Sequence, residues 1–444
     1  MKDLTLQGKK VFMLDIKWIR SNRDEAIERL AKRGLDAKAI IDEILSLDEQ
    51  RRNLQTELDA LRRKLNSLSK EIGKLMRGGK KEEAENIKQQ TTQLKSQIEA
   101  IEQKKEEVDK RLYELLITTP NFPHPDVPAG KDESDNVVVE QWGELPKPPV
   151  KRPHWEIAYE YGLINFKWGS KLAGSGFVVF TGWGSRLQDA LIRFFLDNAV
   201  KNGYVQISPP HLVNEDTGFG TGQLPDKDEQ MYYIEKDGLY LIPTAEVPVT
   251  NLFRNTVVKA EDLPVRMVSY TPCYRREAGS YGQMTRGLNR VHQFDKVEIV
   301  HIAHPDNSYE ELERMCEYVG SLLQKLEIPY RRVLLCGGDL GFAAAKTYDM
   351  EVYAAGQDRW LEASSISNFE TFQSLRMNLK GKDGKKTFIP HTLNGSALAL
   401  PRIIAAMIEN NVSADGIRVP KALAEYLGTD LIPKGEPLPI WGQD

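Results

Sequence analysis

Residues Val265–Ile302 read VRMVSYTPCYRREAGSYGQMTRGLNRVHQFDKVEIVHI and organise the rest of the chain. This segment predicts two β-strands joined by a long loop that contains glycines. Because side chains alternate along an extended chain, Val297 and Ile299 fall on one face of the second strand, which we expect to pack in the core. The other face is expected to carry the chemistry, and its residues are Phe294, Lys296 and Glu298.

Arginines mark the end of the first strand and the loop that follows it. Arg275 and Glu277 are two residues apart, so we expect a guanidinium and a carboxylate to share a face and point towards one ligand. The loop then adds Arg286 and Arg290, together with the conformationally free residues Gly279, Gly282 and Gly287. Because a guanidinium offers paired donors that match phosphate oxygens, a triphosphate is the simplest ligand for this set. The alternative is an antiparallel hairpin whose arginines form surface ion pairs.

Several segments of this stretch are similar to motif 2 of the class II aminoacyl-tRNA synthetases. They are YRRE at 274–277, TRGL at 285–288, RVHQF at 290–294 and the glutamate Glu298. The segments REAGSYG, TRGL and VHQFDKVE resemble the sequences of the seryl-tRNA synthetases in particular. The resemblance implies an α+β fold, in which an N-terminal antiparallel α-helical coiled-coil arm precedes a class II catalytic domain built on a mostly antiparallel β-sheet flanked by helices.

Length and composition limit the remaining possibilities. A chain of 444 residues exceeds the usual size of one hydrophobic core, which predicts two domains. Its 60 basic and 64 acidic residues nearly balance, so any nucleic-acid surface must be a local patch. The three cysteines form no CxxC pair and leave an odd thiol, which argues against a disulfide framework and against a cysteine zinc site.

The sequence contains no signal for export or membrane insertion. No apolar run approaches the ~20 residues that a membrane helix requires, and residues 1–12 lack the apolar core of a signal peptide. We therefore expect a reduced, cytoplasmic protein with no membrane partner. The resemblance to the seryl-tRNA synthetases extends from Met13 to about Leu427. We assign no function to residues 1–12 or to those after Leu427.

Apolar residues recur with alternating steps of three and four from Ile40 to Leu115, as in the heptads of a coiled coil. Folding the chain at Gly78-Gly79 gives one register in which the numbers of facing residues add to 159, as for Leu65 and Leu94. This pattern predicts an antiparallel helical hairpin over about 37–117. Two charged residues interrupt the seam, and we expect their stems to lie along it with their charges in water. They are Arg51 and Lys105.

The far end of this hairpin is strongly basic. Eight basic residues face one acidic residue, Glu71, between positions 62 and 81; they are Arg62, Arg63, Lys64, Lys70, Lys74, Arg77, Lys80 and Lys81. Such a cluster on a lever ~50 Å long predicts contact with a phosphate backbone. The alternatives are a coiled coil with a solvated charged surface and a helical dimerisation device. The resemblance favours tRNA, because seryl-tRNA synthetases use a similar hairpin to grip the long variable arm of their tRNA.

Prolines are dense from Thr119 to Pro153, which predicts a linker. We place the domain boundary there, with a tRNA-binding domain at 1–125 and a class II catalytic domain at 126–444. Beyond it, helical periodicity in Leu187–Lys201 followed by Tyr204–Pro210 resembles motif 1, which in class II enzymes forms the dimer interface. The segment GTGQLP at 220–225 predicts a mobile loop, and family members have a similar segment beside the active site.

The resemblance assigns a serine pocket. The sequence from Leu239 to Glu246 predicts a strand, a polar turn and a helix, which Thr244 could simply cap. In the family the segment that corresponds to TAE at 244–246 lies in the amino-acid pocket. The resemblance implies that Glu298 meets the ammonium of serine, and that Asn394 and Ser396 contact the serine hydroxyl. The full set for serine is Thr244, Ala245, Glu246, Arg275, Glu298, Asn394 and Ser396. A buried polar group of the pocket left unpaired by alanine would cost about 1–3 kcal/mol.

The resemblance also assigns an ATP site. Arg359–Ser365 predicts a strand that enters a serine turn and resembles an ExSS segment, where Glu362 and Ser365 would hold Mg²⁺. The segment 392–402 resembles motif 3, whose arginine, here Arg402, meets the γ-phosphate. The implied ATP contacts are Arg275, Arg276, Glu277, Arg290, Val291, Phe294, Glu362, Ala363, Ser364, Ser365 and Arg402. The groups given a direct role in catalysis are Arg275, Glu277 and Arg402.

Together these segments imply a serine–tRNA ligase, which forms seryl-adenylate from serine and ATP and transfers the seryl group to tRNA(Ser). The family further implies Mg²⁺, a homodimer whose arms reach tRNA bound across the partner's catalytic domain, and use of tRNA(Sec). The seven histidines have no zinc spacing, so we expect no zinc. Two alternatives stay open: a class II enzyme for another amino acid, and a non-enzymatic tRNA-binding paralogue.

Overall fold

The computed structural model describes residues 14–149, 151–226, 229–278 and 286–435, and the backbone of two short strands near the N-terminus. Gly279 and Gly282 of the predicted motif 2 loop lie outside these residues. The chain divides into two compact units. The first comprises Met1–Ala31 and Leu35–Pro120, and the second comprises Lys32–Gly34 and Asn121–Asp444.

The first unit is dominated by two long helices. Its elements are β1 Thr5–Leu6, β2 Lys9–Lys10, α1 Ile16–Ser21, α2 Arg23–Ala31, α3 Ala37–Arg77 and α4 Lys81–Thr118. Helix α3 begins where the side chain of Asp36 accepts a hydrogen bond from the Ala39 amide at 3.1 Å. It ends at Gly78, and Gly79 has the left-handed φ of 75° that reverses the chain into α4. The predicted helical hairpin is confirmed.

The apolar seam between α3 and α4 follows the predicted heptads. Seam residues buried between the helices include Ile44, Leu47, Leu58, Ala84, Leu94, Ile98 and Leu112. Two ion pairs cross from one helix to the other, Arg62 to Glu102 at 2.5 Å and Glu43 to Arg111 at 2.6 Å. The numbers in these pairs add to 164 and 154, which lie on either side of the predicted 159, as expected for pairs that flank the seam.

The two charged residues in the seam, Arg51 and Lys105, each form an ion pair within their own helix. Arg51 donates to Asp48 at 2.9 Å, and Asp48 is fully buried. Lys105 pairs with Asp109, which is also buried. Both cations stay partly exposed, with 19% of the Arg51 side chain and 23% of the Lys105 side chain accessible, and each helix supplies a carboxylate within one turn that pairs with its cation. The hairpin therefore contains a polar layer in an otherwise apolar seam.

The second unit contains the remaining elements. Its helices are α5 His154–Glu160, α6 Phe166–Ala173, α7 Trp183–Lys201, α8 Glu215–Thr221, α9 Glu246–Thr250, α10 Ser308–Lys325, α11 Phe372–Arg376, α12 Leu400–Asn411 and α13 Lys421–Leu427. Its strands are β3 Val137–Trp142, β4 Ile164–Asn165, β5 Val179–Phe180, β6 Val205–Gln206, β7 Leu212–Val213, β8 Tyr233–Ile234, β9 Leu239–Leu241, β10 Val257–Lys259, β11 Val265–Tyr274, β12 Gln293–Ala303, β13 Tyr330–Leu334, β14 Lys346–Ala354, β15 Arg359–Asn368, β16 Lys380–Asp383, β17 Lys386–Phe388, β18 His391–Ala399, β19 Ile417–Arg418 and β20 Leu431–Ile432.

Eight of these strands form one sheet in the order β3-β13-β14-β15-β18-β12-β11-β6. Every neighbouring pair is antiparallel except β11 and β6. Helices α7, α10 and α12 pack on the sheet, and the main apolar core lies between them, with Val297 and Ile299 fully buried in it. The predicted α+β architecture with a mostly antiparallel sheet is confirmed, as is the core-like face of the second strand.

The segment Val265–Ile302 forms the paired strands β11 and β12 near one side of this sheet. Their register runs from Val265 opposite Ile302 to Tyr274 opposite Gln293. Both strands contain β-branched residues, whose side chains suit a buried pleated surface. They are Val265, Val268 and Thr271 in β11 and Val297, Ile299, Val300 and Ile302 in β12. Because β12 also pairs with β18, the hairpin brings motif 2 beside the strand that leads into motif 3.

Three segments differ from the predictions. The proline-rich stretch is not a linker throughout, because Val137–Trp142 forms the edge strand β3 and pairs with β13. The loop predicted at 220–225 begins as helix, since α8 runs to Thr221 and ends at the left-handed Gly222. The motif 1 strand is only Val205–Gln206, although the helix before it is confirmed. Within the described residues, no helix combines the length and apolarity needed to cross a membrane.

Residues Lys32–Gly34 belong to the second unit because Arg33 is bound there. Its guanidinium donates to the carbonyl oxygens of Asn121 at 2.8 Å, Leu340 at 2.9 Å and Ala344 at 2.6 Å. Burial lowers the pKa of Arg33 to about 10, which still leaves it charged at neutral pH. Arg33 thus stabilises the turn at 340–344.

Candidate active site

A cavity of about 1170 Å³ opens on the second unit. The predicted site residues that line it come from four separate segments of the chain. They are Glu246, Arg290, Glu362, Ser365 and Arg402. Thr221, Gly222 and Gln223, at the end of α8, line it too, so the GTGQLP segment lies beside the cavity as expected. The fold thus brings together residues that are more than 150 positions apart in sequence.

The motif 2 residues Arg275, Arg276 and Glu277 follow the end of strand β11. Strand β11 ends at Tyr274, so Arg275 and Glu277 do not share a strand face, and that expectation is wrong. Glu277 instead has a left-handed φ of 49°, and its carboxylate accepts from Arg290 at 2.9 Å. The Arg276 side chain is exposed, and its backbone amide donates to the Gln230 carbonyl at 2.8 Å.

A buried histidine fixes the far end of the motif 2 loop. His154 Nε2 accepts from the Leu288 amide at 2.8 Å, so its Nδ1 carries the proton and donates to Glu409 at 2.8 Å. Gly287 has a φ of 70°, and a Cβ added there would lie 2.3 Å from His154 Nε2. Glycine is therefore required at 287 for both backbone conformation and space. The contact links the loop to α12, which carries Arg402.

The charges of three arginines act on Glu362, and one of the three, Arg402, contacts it. Arg402 Nη1 lies 2.5 Å from the Glu362 carbonyl oxygen and 3.3 Å from its carboxylate. Partial loss of hydration acts to raise the pKa of Glu362, but the charges of Arg402, Arg275 and Arg290 outweigh it and the pKa is lowered. Guanidiniums at this wall of the cavity offer paired donors to an anionic ligand.

The ExSS segment lies within a continuous strand, because β15 extends to Asn368 and no turn begins at the serines. The pairing with β14 is irregular here: Met350 faces Ser364 but Glu351 faces Glu362, so Ala363 is an extra residue. Residues three apart on a regular strand point to opposite faces, and this bulge brings Glu362 and Ser365 to the same cavity. Ser364 is buried and its hydroxyl donates to the Ser396 carbonyl at 2.5 Å.

Below the cavity lies a buried polar pocket between β12, β18 and the turn before α9. Lys296 Nζ donates to Thr244 Oγ1 at 2.9 Å and lies 2.6 Å from Glu298 Oε2. Ser396 Oγ lies 3.5 Å from the same carboxylate oxygen. Thr244 Oγ1 also accepts from the Glu246 amide at 3.2 Å, so it supports the helix start as well as the pocket. The structure therefore brings Thr244, Glu298 and Ser396 together as predicted and adds Lys296.

A second carboxylate, Glu246, lies beside this pocket and reaches the cavity. Gln373 Nε2 donates to Glu246 Oε1 at 2.7 Å, and Thr392 orients Gln373 by donating to its Oε1 at 2.6 Å. Burial, reinforced by the negative charge of Glu298, raises the pKa of Glu246 to about 7, while Gln373, Lys296 and Asn394 act in the opposite direction. Ala245, which precedes it, is fully buried.

The predicted adenine contacts lie where β12 begins. The Arg275 guanidinium lies over the Phe294 ring, 5.3 Å from its centroid, and Val291 is buried. The Arg275 Nε donates to the Pro243 carbonyl at 3.3 Å, just before Thr244. Arg275 thus lies between the aromatic ring and the polar pocket, where one side chain could contact both substrates.

The basic tip of the first unit forms a separate candidate site. The side chains of all eight predicted residues are exposed. Two of the charges are partly neutralised by acids outside the tip, because Arg62 pairs with Glu102 and Lys80 with Glu83. The positive patch is therefore weaker than the sequence count indicates, although six of its members remain exposed without a described carboxylate partner.

Sequence reasoning missed three side chains of the site. Lys296 was predicted to lie on the face that carries the chemistry, but its ion pair with Glu298 was not predicted. Gln373 sits in the short helix α11, where no pattern marked it. Asp349 lies opposite Ser365 on β14 and lines the cavity, and its Oδ1 is buried without a hydrogen-bond partner among the described residues. Burial and the charge of Glu362 raise the pKa of Asp349 well above its usual value.

Comparison with known proteins places the chain in a family. The family model described as "Seryl-tRNA synthetase N-terminal domain" matches residues 13–123. The model described as "tRNA synthetase class II core domain (G, H, P, S and T)" matches residues 232–411. The serine–tRNA ligase of Salinibacter ruber is 49% identical over 420 residues, covering 94% of this chain and 98% of the relative. That of Akkermansia muciniphila is 47% identical over 424 residues, covering 95% and 99%.

Solved structures agree with the sequence relatives. The seryl-tRNA synthetase from Pyrococcus horikoshii, solved in complex with ATP, matches with a TM-score of 0.89 at 36% identity, covering 96% of this chain and 100% of that one. The cytoplasmic serine–tRNA ligase from Naegleria fowleri, solved with AMP, matches with a TM-score of 0.85 at 27% identity, covering 96% and 99%. The chain belongs to the seryl-tRNA synthetase family of class II aminoacyl-tRNA synthetases, and its activity is that of a serine–tRNA ligase.

Proposed function

We propose that serine binds in the polar pocket formed by Thr244, Glu246, Glu298 and Ser396, and that ATP binds in the cavity above it. The observation that carries this assignment is that Arg290, Arg402 and Glu362 line one cavity with the buried carboxylate Glu246, and that Arg402 contacts Glu362 there. Cations suited to phosphates thus adjoin acceptors suited to an ammonium and a hydroxyl. Val291 and Phe294 would contact adenine, and Asn394 would complete the serine pocket.

The reaction then proceeds in two displacements. A carboxylate oxygen of serine attacks the α-phosphorus of ATP, and the bond from that phosphorus to pyrophosphate breaks. A ribose hydroxyl of the terminal adenosine of tRNA next attacks the seryl carbonyl, and AMP leaves. Arg275 would stabilise charge on the α-phosphate, Glu277 would hold Arg290 in place, and Arg402 would meet the γ-phosphate.

The oxygen groups at the bulge of β15 suit Mg²⁺. Glu362 and Ser365 both line the cavity, and the buried, unpartnered Asp349 Oδ1 lies beside them among the described residues. Hard oxygen ligands of this kind, together with substrate phosphates, are what Mg²⁺ prefers. We infer that Glu362 and Ser365 hold the ion, which would neutralise charge on the departing pyrophosphate. Ala363 and Ser364 would shape this wall of the cavity rather than bind the ion.

The basic tip of the arm would bind tRNA(Ser), and tRNA(Sec) where an organism has one. All eight cationic side chains are exposed, and no aromatic residue for base stacking occurs between Arg62 and Lys81. Recognition would therefore rest on the phosphate backbone and on shape more than on bases. We assign the first unit to tRNA binding and the second to catalysis, with the enzyme acting in the cytoplasm.

We also infer a homodimer that forms through α7 and β6. Val200, near the end of α7, is 49% exposed, and Val205 in β6 is 59% exposed. Large apolar side chains exposed together on a helix and an adjacent edge strand favour association, since burial removes them from water. The concentration dependence of the sedimentation coefficient tests this arrangement, and a strictly monomeric Val200→Glu/Val205→Glu variant would support it.

The decisive experiment for the pocket is ATP–pyrophosphate exchange with each of the twenty amino acids, using purified protein and Mg²⁺ without tRNA. We expect exchange with serine and none above background with alanine, because alanine cannot pair with the hydroxyl acceptors. Exchange driven by threonine, proline or glycine would contradict the serine assignment. No exchange with any amino acid, from folded protein that binds tRNA, would contradict the catalytic assignment.

Serine binding is expected to weaken as the pH falls below about 7. The Glu246 pKa of about 7 in the free protein means that this carboxyl gains a proton in that range, so the pocket loses one of the two negative charges, those of Glu246 and Glu298, that would attract an ammonium. A bound ammonium lowers the same pKa, so binding releases a proton and affinity falls by up to ~10-fold per pH unit. Calorimetric titration in buffers of different ionisation enthalpy measures both effects. A pH-independent affinity and no proton release would contradict the role of Glu246.

A further inference from the structure

A fully buried carboxylate outside the substrate sites connects three elements of the second unit. Glu409, near the end of α12, accepts four hydrogen bonds. Its Oε1 accepts from the backbone amide and from Nδ1 of His154, each at 2.8 Å, and from the side-chain amide of Gln357 at 2.8 Å. Its Oε2 accepts from the backbone amide of Gln357 at 2.9 Å. These bonds join the start of α5 and the turn between β14 and β15 to α12, and leaving one unmade would be costly in a buried site.

Two hydrogen-bond paths lead from this carboxylate to motif 2. His154 Nε2 accepts from the Leu288 amide at 2.8 Å. Gln357 Oε1 accepts from the side-chain amide of Asn289 at 2.8 Å. Leu288 and Asn289 are buried, and they directly precede Arg290 in sequence. The carboxylate therefore holds, through two different side chains, the two consecutive residues that lead into a cavity-lining arginine.

The same network reaches a second arginine of the cavity. Arg402 precedes Glu409 by about two turns of α12, so both lie on one side of this helix. Arg402 Nε donates to the Asn289 carbonyl at 3.5 Å. Asn289, Arg290 and Arg402 all line the cavity. The positions of the two guanidiniums are thus linked through a shared set of buried hydrogen bonds.

We propose that Glu409 is a positioning residue, which acts through His154 and Gln357 to hold Arg290 and Arg402 in the arrangement that the outer phosphates of ATP require. The proposal rests on the assignment of these arginines to the phosphates. A buried network whose donors and acceptors are paired is ordered before the substrate arrives, so the cations need no rearrangement during the reaction. A displacement of about 1 Å at such a site can lower the rate by roughly 10²-fold.

Two nucleotides that differ only in their outer phosphates isolate this role. AMP and ATP share adenine, ribose and the α-phosphate, so the preference for ATP over AMP reports contacts with the β- and γ-phosphates. His154→Asn keeps a donor near Nδ1 but removes the acceptor for the Leu288 amide, and this preference should fall by ~10-fold or more. His154→Gln places an acceptor near the position of Nε2 and should recover most of the preference. Calorimetric titration with Mg²⁺ and without serine measures both affinities.

Pyrophosphate exchange provides a kinetic readout of the same variant. His154→Asn should lower kcat on the order of 10–10²-fold, because displaced guanidiniums match the transition state less well. The KM for serine should stay within about 2-fold of the wild type, since the network does not touch the serine pocket. A raised KM for serine with an unchanged kcat would overturn the proposal.

A second buried histidine supplies the matched control, His301→Asn. The His301 ring is also fully buried, with Nδ1 3.0 Å from Glu311 and Nε2 3.0 Å from the Tyr204 hydroxyl. The variant removes the same ring atom near the far end of β12, away from motif 2. It should lower the thermal stability as His154→Asn does and leave the preference for ATP unchanged. An equal fall in preference for both variants would show a general effect of a lost buried contact and overturn the proposal.

Gln357→Ala tests the second path and does not depend on the folding of the His154 variants. Gln357 is half-buried, and its removal leaves both His154 bonds to Glu409 in place. The preference for ATP should fall by ~3-fold or more. An unchanged preference in either folded variant, His154→Asn or Gln357→Ala, would overturn the proposal.

Arg402→Ala separates this proposal from the phosphate assignment on which it rests. A lost preference for ATP in Arg402→Ala, combined with a wild-type preference in His154→Asn, would overturn only the positioning role of the network. A wild-type preference in Arg402→Ala would overturn the assignment of Arg402 to the outer phosphates, and the positioning role with it.

Discussion

Arg402→Ala is expected to lower serine-dependent pyrophosphate exchange by about 10²–10³-fold, the loss typical when a charge-stabilising donor is removed. In the free protein its guanidinium contacts both the carbonyl and the carboxylate of Glu362, at the wall of the cavity. Arg402 lies in the first turn of α12 and contacts the backbone of Glu362. Its guanidinium is therefore close to where a triphosphate would lie. Arg402→Lys should recover only part of the loss, because an ammonium keeps the charge but not the paired donors.

A matched control is Arg418→Ala in the same unit. Arg418 pairs with Glu327 at 2.9 Å, and half of its side chain is exposed. Removing a surface ion pair of this kind should change stability by less than ~1 kcal/mol and leave exchange nearly unchanged. Equal exchange rates for the Arg402 and Arg418 variants would contradict the assignment of Arg402 to the γ-phosphate.

Replacing six tip residues of the arm with glutamine should strongly reduce aminoacylation of tRNA and leave pyrophosphate exchange nearly intact. The residues are Arg62, Arg63, Lys64, Lys70, Lys74 and Arg77, which are all exposed. Their loss removes contacts with phosphates, and each lost contact should make the dependence of log affinity on log salt shallower by roughly 0.7–0.9. Aminoacylation and exchange, measured on the same preparation over a range of salt concentrations, check both parts.

Two controls isolate the effect of charge position. Interchanging lysine and arginine at the same six positions keeps the charge and should preserve most of the aminoacylation. Neutralising four exposed lysines of the catalytic unit removes positive charge elsewhere, four charges against the six of the tip variant; they are Lys380, Lys382, Lys385 and Lys386. Equal losses in exchange and aminoacylation for the tip variant would contradict the separation of the two tasks.

Local periodicity was sufficient to predict the arm. The helical hairpin needs only contacts between residues that a heptad pattern brings together, and both its turn at Gly78-Gly79 and its seam were predicted. The pairing of Arg51 with Asp48 was missed, because pattern reasoning treated each charge as isolated. Asp48 lies one turn before Arg51 and could have been identified as its partner.

The catalytic site was predictable as a set of residues but not as a geometry. The motif 2 strands and the strand-to-helix step at Arg402 followed from the pattern and from resemblance. The bulge at Ala363, which turns Glu362 and Ser365 to one side, depends on the register with β14, and no feature of β15 alone encodes it. The left-handed conformation of Glu277 and the capture of Glu298 by Lys296 likewise depend on distant neighbours.

Strand β18 lies between β15 and β12 in the sheet, yet it is the last of the eight strands to leave the ribosome. Until residues 391–399 have been synthesised, β12 and β15 each present an edge of unpaired backbone groups, and such edges favour association between chains. The arm does not share this delay, because both of its helices end before Pro120. The nascent catalytic unit is thus prone to association between chains from the synthesis of β12 until its central strand arrives.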